Sequence, residues 1–136
     1  MRYLYKERIT DMLAYSIKQG EFILETTANI SSADDFMSSQ YGMILYNSTC
    51  MCLQTIGETL KQIDKLTSQQ LLSQKYEKTP WRNIFALRNI ISHEYASTDP
   101  EEIFGIIRHD LLPLLSTLRT ISADVATGKH DELFHD

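Results

Sequence analysis

The sequence predicts an all-α fold: an antiparallel four-helix bundle with a short extra helix and a last helix kinked at a proline. Two observations carry this expectation. Apolar residues recur at three- and four-residue steps along most of the chain, without the alternation of a half-buried strand. Proline and glycine are scarce, at three and five of 136 residues, so few positions break a helix and the connections must be short.

The elements follow in order. A first helix is expected from Tyr3 to about Thr27, with Ile9, Leu13, Ile17, Gly20, Leu24 and Thr27 on one face. The stretch "NISSADD" reads as a loop. Ser31 or Ser32 is the N-cap candidate there, because Asp34 and Asp35 place negative charge where helix N–H groups lack partners. The second long helix should bury Tyr41, Ile44, Leu45, Ser48, Met51, Cys52, Thr55, Ile56, Leu60 and Ile63. A short helical turn is expected at Ser68 to Ser73. In "KTPW", Thr79 is the cap and Pro80 the first residue of a third helix that ends near Glu94 or Tyr95. Asp99 and Pro100 repeat that start signal. The last helix then carries a seam of Phe104, Ile107, Leu111, Leu114, Leu118, Ile121 and Val125. Pro113 should interrupt it near Arg108 to Asp110, because a proline offers no N–H and crowds the preceding turn. Gly128 closes it. This gives one helical domain over residues 1–128 and a loose tail over 129–136.

Composition narrows the class. Hydrophobic residues make up 43% and charged residues 23%, as in ordinary globular proteins. A net charge of −5 argues against a broad basic face for gripping duplex nucleic acid, while leaving room for a small local site. No apolar run is long enough to cross a bilayer. Lys6, Glu7, Arg8 and Asp11 interrupt the start where a signal peptide would be apolar. Cys50 and Cys52 stand two apart on a helix, point in different directions, and are read as small core hydrophobes. A cytoplasmic protein without membrane segments is expected.

The stretch "LRNIISHEY", Leu87 to Tyr95, carries the chemistry. It sets Arg88, Asn89, His93 and Tyr95 within about two helical turns. Asn89 and His93 fall one turn apart on one face, Arg88 and Tyr95 two turns apart, and the long Arg88 stem can swing its guanidinium toward the imidazole. Carbonyls at a helix C-terminus favour a protonated imidazole, which draws His93 toward neutral pH. A guanidinium fork matches a phosphate, and an imidazole titrating near pH 7 suits proton transfer. Spacing alone leaves structural roles open: Arg88 pairing with an acid of the last helix, His93 capping its helix, Tyr95 packing as a core aromatic.

"WRNIFALRNIISHEY" resembles the signature of the HEPN superfamily in its HepT-like branch. Trp81 and Arg82 fit its opening, and Arg88 with Asn89, His93 and Tyr95 fit its R-x-x-x-x-H-x-Y core without a gap. "TIGETLKQI" resembles the family's Ile-Gly-Glu helix and "DPEEIFGIIRHDLLPLL" its closing helix, so the likeness covers nearly the whole chain. Residues Gln69 to Tyr76 show no family match. The resemblance implies a HEPN-like helical dimer and a metal-independent endoribonuclease, the toxin of a type VII-like toxin–antitoxin pair. It implies Arg88 and His93 as catalytic residues, Asn89 as an orienting residue, and Tyr95 as acceptor of AMP from an MntA-like nucleotidyltransferase antitoxin. It implies neither metal nor cofactor. Physical chemistry adds a reason for two copies: one Arg–His pair is a thin site in an acidic protein, and a two-fold contact doubles the positive charge. The third helices, with part of the last, are the expected seam. The rival reading is a non-catalytic helical dimer that binds and orients the nucleotidyltransferase.

Other residues receive quieter readings. His130, Asp131, Glu132 and His135 are possible metal ligands, but a solvated tail explains them better. Glu58 is expected as a buried carboxylate or as a partner of Arg82. Gly20, Gly42, Gly57 and Gly105 should mark close helix approaches. Arg108 and His109 read as exposed surface, with the wall of an RNA channel as the alternative.

Overall fold

A computed structural model describes residues 2–92 and 99–134, with side chains from Lys6 to Ile90 and from Asp99 to Phe134. Among these residues there is no strand. The helices are α1 (Arg2–Thr26), α2 (Asp34–Met37), α3 (Gln40–Leu66), α4 (Trp81–Phe85), α5 (Asn89–Ser92), α6 (Pro100–Gly105) and α7 (Leu111–Ala126). A 3₁₀ turn at Ala86–Arg88 joins α4 to α5, and a π-helical turn at Ile106–Asp110 joins α6 to α7.

α1 packs along both α3 and α7. Their shared core holds Ile9, Leu13, Ile56, Leu60, Leu118 and Ile121, all without exposure. Each such side chain contributes roughly 1.5–3 kcal/mol of burial, and together they fix the three long helices. The fourth arm, α4 through α5, lies against α3. The chain is thus an all-α bundle whose fourth member is short and broken.

Several local expectations are corrected. Neither Ser31 nor Ser32 caps a long helix. Asp35 reaches back instead, its carboxylate accepting from the Ser31 N–H at 2.8 Å and the Ser31 hydroxyl at 3.0 Å. α3 starts later, where the Ser39 hydroxyl accepts from the Gly42 N–H at 2.9 Å. Tyr41, Ile44 and Met51, expected in the core, stand 70%, 64% and 58% exposed, because the opposite arc of α3 already packs on the other helices. Ser68 to Ser73 forms turns rather than a helix, since Ser68 and Gln69 hold left-handed φ angles of 55° and 62°. Asp64 organises that turn instead, accepting from the Ser73 N–H at 3.1 Å and the Ser73 hydroxyl at 2.5 Å.

Pro113 acts near the expected place. The helical path passes through the π turn Ile106–Asp110, with the Leu111 N–H bonded to the Ile106 carbonyl. α7 ends as the sequence implies. Gly128 takes φ +87°, and the N–H groups of Gly128 and Lys129 bond the Val125 and Asp124 carbonyls. A glycine suits this left-handed cap because it has no side chain to clash.

The segment after Gly128 is not loose over its described part. Phe134 is fully buried and His130 nearly so. The Lys6 ammonium donates to Asp131 at 2.7 Å, and Lys75 pairs with Glu132 at 3.4 Å. The reason is an apolar anchor: Phe134 fills the core that polar neighbours conceal in the sequence. His130, Asp131 and Glu132, weighed as metal ligands, are engaged in holding the chain end, and His135 lies outside the described residues.

Candidate active site

α4 begins directly after Pro80. Thr79 offers its backbone carbonyl to the Trp81 N–H at 2.8 Å, and no side chain caps this start. Trp81 is buried, donates its indole N–H to the Tyr76 carbonyl at 2.8 Å, and stacks on Phe85 with centroids 6.0 Å apart. That tryptophan therefore anchors the segment to the preceding turn.

The expected continuous helix from Pro80 to Tyr95 is interrupted by the Ala86–Arg88 turn. The cause is tertiary. The turn presses onto α3 at Gly57, where an added Cβ would lie 2.7 Å from the Arg88 backbone nitrogen. It would also lie 2.9 Å from the Ile84 carbonyl oxygen and from the Leu87 Cβ. Only a glycine lets the backbones meet so closely. Of the other glycines expected at close approaches, Gly105 is a correction, because a Cβ there would meet nothing within 4 Å.

The tightened turn changes which side chains share a side. A 3₁₀ residue advances about 120° instead of 100°, so three of them rotate Arg88 roughly 60° beyond its place on a continuous α-helix. Six residues then separate Arg82 and Arg88 by roughly 60° rather than 120° of rotation. Both arginines are exposed, as is Asn89. The sequence marks Arg88 as chemistry and offers Arg82 as a partner for Glu58, or Glu58 as a buried carboxylate. Glu58 is exposed rather than buried, and no ion pair joins it to Arg82 among the described residues. Both guanidinium groups belong to one exposed stretch, and a guanidinium fork is the donor geometry that matches a phosphate. His93 and Tyr95, expected beside Arg88, lie outside the described residues.

Next to this turn is a groove of about 790 Å³, whose wall includes Leu87, the neighbour of Arg88. Lys78, Asn83 and His109 also line it. Of these, the sequence reading raised only His109, as the wall of a channel. The signal for Lys78 and Asn83 was the helix start "KTPW", which aligns the chain on either side of Pro80 toward the same space.

A separate polar cluster stands at the chain end. The Tyr76 hydroxyl donates to Asp124 at 2.5 Å and lies 2.8 Å from His130 Nε2. One phenol has one proton, so His130 must supply the N–H of the second contact. Burial, then the bond to Asp124 and its charge, drive the Tyr76 pKa upward, while the Tyr76 bond holds Asp124 low. Burial also keeps His130 below its ordinary value. Cys50 and Cys52 are buried free thiols, and burial pushes Cys50 up to about 11, which suits inert core residues.

Comparison with known proteins supplies the context. A family model described as ribonuclease HepT-like matches residues 16–121, a span that includes the Arg88 turn and the groove. A protein of Caldanaerobacter subterraneus subsp. tengcongensis, named provisionally as an RNase, is 26% identical over 109 residues. The match covers 80% of this chain and 89% of that one. No solved structure matches the chain at a significant level. With well over half of its length inside the family model, the chain belongs to the ribonuclease HepT-like family.

Proposed function

We propose that the protein is a metal-independent endoribonuclease, the toxin of a type VII-like toxin–antitoxin pair. The observation that carries this reading is an uninterrupted R-x-x-x-x-H-x-Y core inside the family-matched span, with Arg82, Arg88 and Asn89 all exposed. In the reaction, the RNA 2′-hydroxyl attacks the adjacent phosphorus and the bond to the 5′-oxygen breaks. His93 moves the proton from the attacking oxygen to the leaving one, Arg88 stabilises the charge gathered on the phosphoryl oxygens, and Asn89 orients the phosphate or the imidazole. The products are a 2′,3′-cyclic phosphate and a free 5′-hydroxyl. Tyr95 is the acceptor of AMP from a cognate MntA-like nucleotidyltransferase. An AMP phosphodiester beside Arg88 occupies the place of the RNA phosphate, which explains inhibition by charge and volume together.

The protein works as a homodimer. Support comes from α3 (the second long helix of the sequence, not the third-helix seam expected from it), where no charged residue lies between Asp35 and Glu58 and yet Tyr41, Ile44 and Met51 face outward. Charge depletion with exposed aromatic and methionine side chains is the composition of an interface core.

Incubating the purified protein with RNA in excess EDTA tests the reading. Cleavage that persists in the chelator is the expected result. Intact RNA together with tight binding to the nucleotidyltransferase overturns it in favour of a docking subunit.

A further inference from the structure

The groove beside the Arg88 turn has a largely apolar lining. Leu53, Ile84, Leu87, Ile106, Leu111 and Leu114 contribute to its volume of about 790 Å³, a size that suits small-molecule sites. Its rim is polar and carries Lys78, Asn83, Glu102, His109 and Asp110.

Two features mark the space as one that is kept open. Gly105 lines the groove with ordinary helical backbone angles, φ −60° and ψ −42°, and a Cβ there would meet nothing within 4 Å. A glycine inside a helix costs about 1 kcal/mol relative to alanine. Neither a close approach nor an unusual φ accounts for it, whereas an occupant of the groove does. The second feature is the π turn Ile106–Asp110, which turns His109 and Asp110 to the rim. Such turns concentrate at functional sites.

Resting on the ribonuclease reading, we propose that this groove receives one base of single-stranded RNA, a guanine, next to the phosphate bound at Arg88. Charge decides between base and phosphate. Two carboxylates, Glu102 and Asp110, outweigh the single Lys78 ammonium, so the rim repels a phosphate and accepts hydrogen bonds from N–H groups. The apolar lining suits a flat ring, and apolar or aromatic contact is a usual way an unstacked RNA base is held. Guanine alone among the four bases presents two adjacent N–H donors on its Watson–Crick edge, matching the two oxygens of one carboxylate. Asn83 offers an amide donor for the neighbouring carbonyl oxygen. Leu87 is in the wall and Arg88 follows it in the chain, so a base held in the groove lies within about one residue of the phosphate assigned to Arg88.

The test uses the full chain and its Arg88→Ala variant, titrated with guanosine, adenosine, cytidine and uridine by calorimetry, so that no cleavage enters the readout. Guanosine is expected to bind about tenfold tighter than the others, with the preference lost in Glu102→Gln or Asp110→Asn. Gly105→Leu fills the space and should abolish binding while melting no lower than the parent. Absence of nucleoside binding, or equal binding of all four, overturns the subsite. Cleavage is read separately. RNA cut without base preference, and cut equally by Gly105→Leu, overturns the subsite and leaves the nuclease reading standing. Guanosine bound with RNA left intact supports the base site and overturns the nuclease reading alone.

Discussion

At the scale of residues, Gly57 shows how a single missing side chain positions chemistry two elements away. The atoms that an added Cβ would meet are mainly backbone: the Arg88 nitrogen and the Ile84 carbonyl. These cannot swing aside as a flexible side chain can. Gly57→Ala should therefore lower stability by about 1–3 kcal/mol, the usual cost of overpacking, and displace Arg88. A urea melt measures the first effect and RNA cleavage the second. Unchanged stability would show that the turn is not seated on this glycine. His130 makes a different residue-scale prediction. Its folded pKa is lowered from 6.5, first by burial, with Lys129 and Lys75 adding to the shift and Glu132 and Asp124 opposing it. Between the folded pKa and 6.5 the unfolded chain binds the extra proton, so stability falls as pH drops through this window. Asp124 and Glu132, both lowered from their ordinary 3.8 and 4.5, remove further stability only at more acid pH. Urea midpoints at pH 8 and pH 5.5 should separate more for the parent than for His130→Gln. A parent that is more stable at pH 5.5 contradicts the sign.

At the scale of elements, the face of α3 and the chain end behave oppositely to their appearance in the sequence. Hydrophobic period marks a face that avoids water, but it does not say whether the protein's own core or another molecule covers it. Tyr41, Ile44 and Met51 were read as core for that reason and are exposed. If that face joins two copies, Ile44→Glu should convert a dimer to a 15.7 kDa monomer in sedimentation while leaving helicity intact. Equal sedimentation of both proteins removes α3 from the interface. The chain end was misread in the other direction, because charged neighbours hide one anchoring aromatic. Phe134→Ala should cost about 3–5 kcal/mol, as for other buried phenylalanines, a large share of the stability of a typical domain. A loss under 1 kcal/mol would mean the segment is only lightly attached. The break between α4 and α5 was invisible for a third reason: no proline or glycine lies between Trp81 and Ser92, and the turn is imposed by contact with α3. By contrast, the seam Leu111, Leu114, Leu118, Ile121 and Val125, the Asp99 cap and the Gly128 stop follow from local pattern and appear where it placed them.

At the scale of the whole molecule, the proposed function sets the RNA chemistry of an acidic chain at one edge of a helical bundle. Its net charge of −5 hides two exposed guanidinium groups beside a groove with a carboxylate rim. Arg88 and Asn89 were legible as surface chemistry because polar residues in an apolar run must either be paired or meet solvent. Arg82 was not, because its direction relative to Arg88 depends on the 3₁₀ turn. The proposed function divides labour between Arg88 for phosphate and the groove for a base, with His93 assigned the proton. The most direct measurement of that assignment compares the parent with His93→Ala on the same RNA in EDTA, reading the chemistry of the new ends. The parent is expected to leave 2′,3′-cyclic phosphate ends, and the variant none while keeping its helicity and sedimentation. Equal cleavage by the two proteins would contradict the assignment.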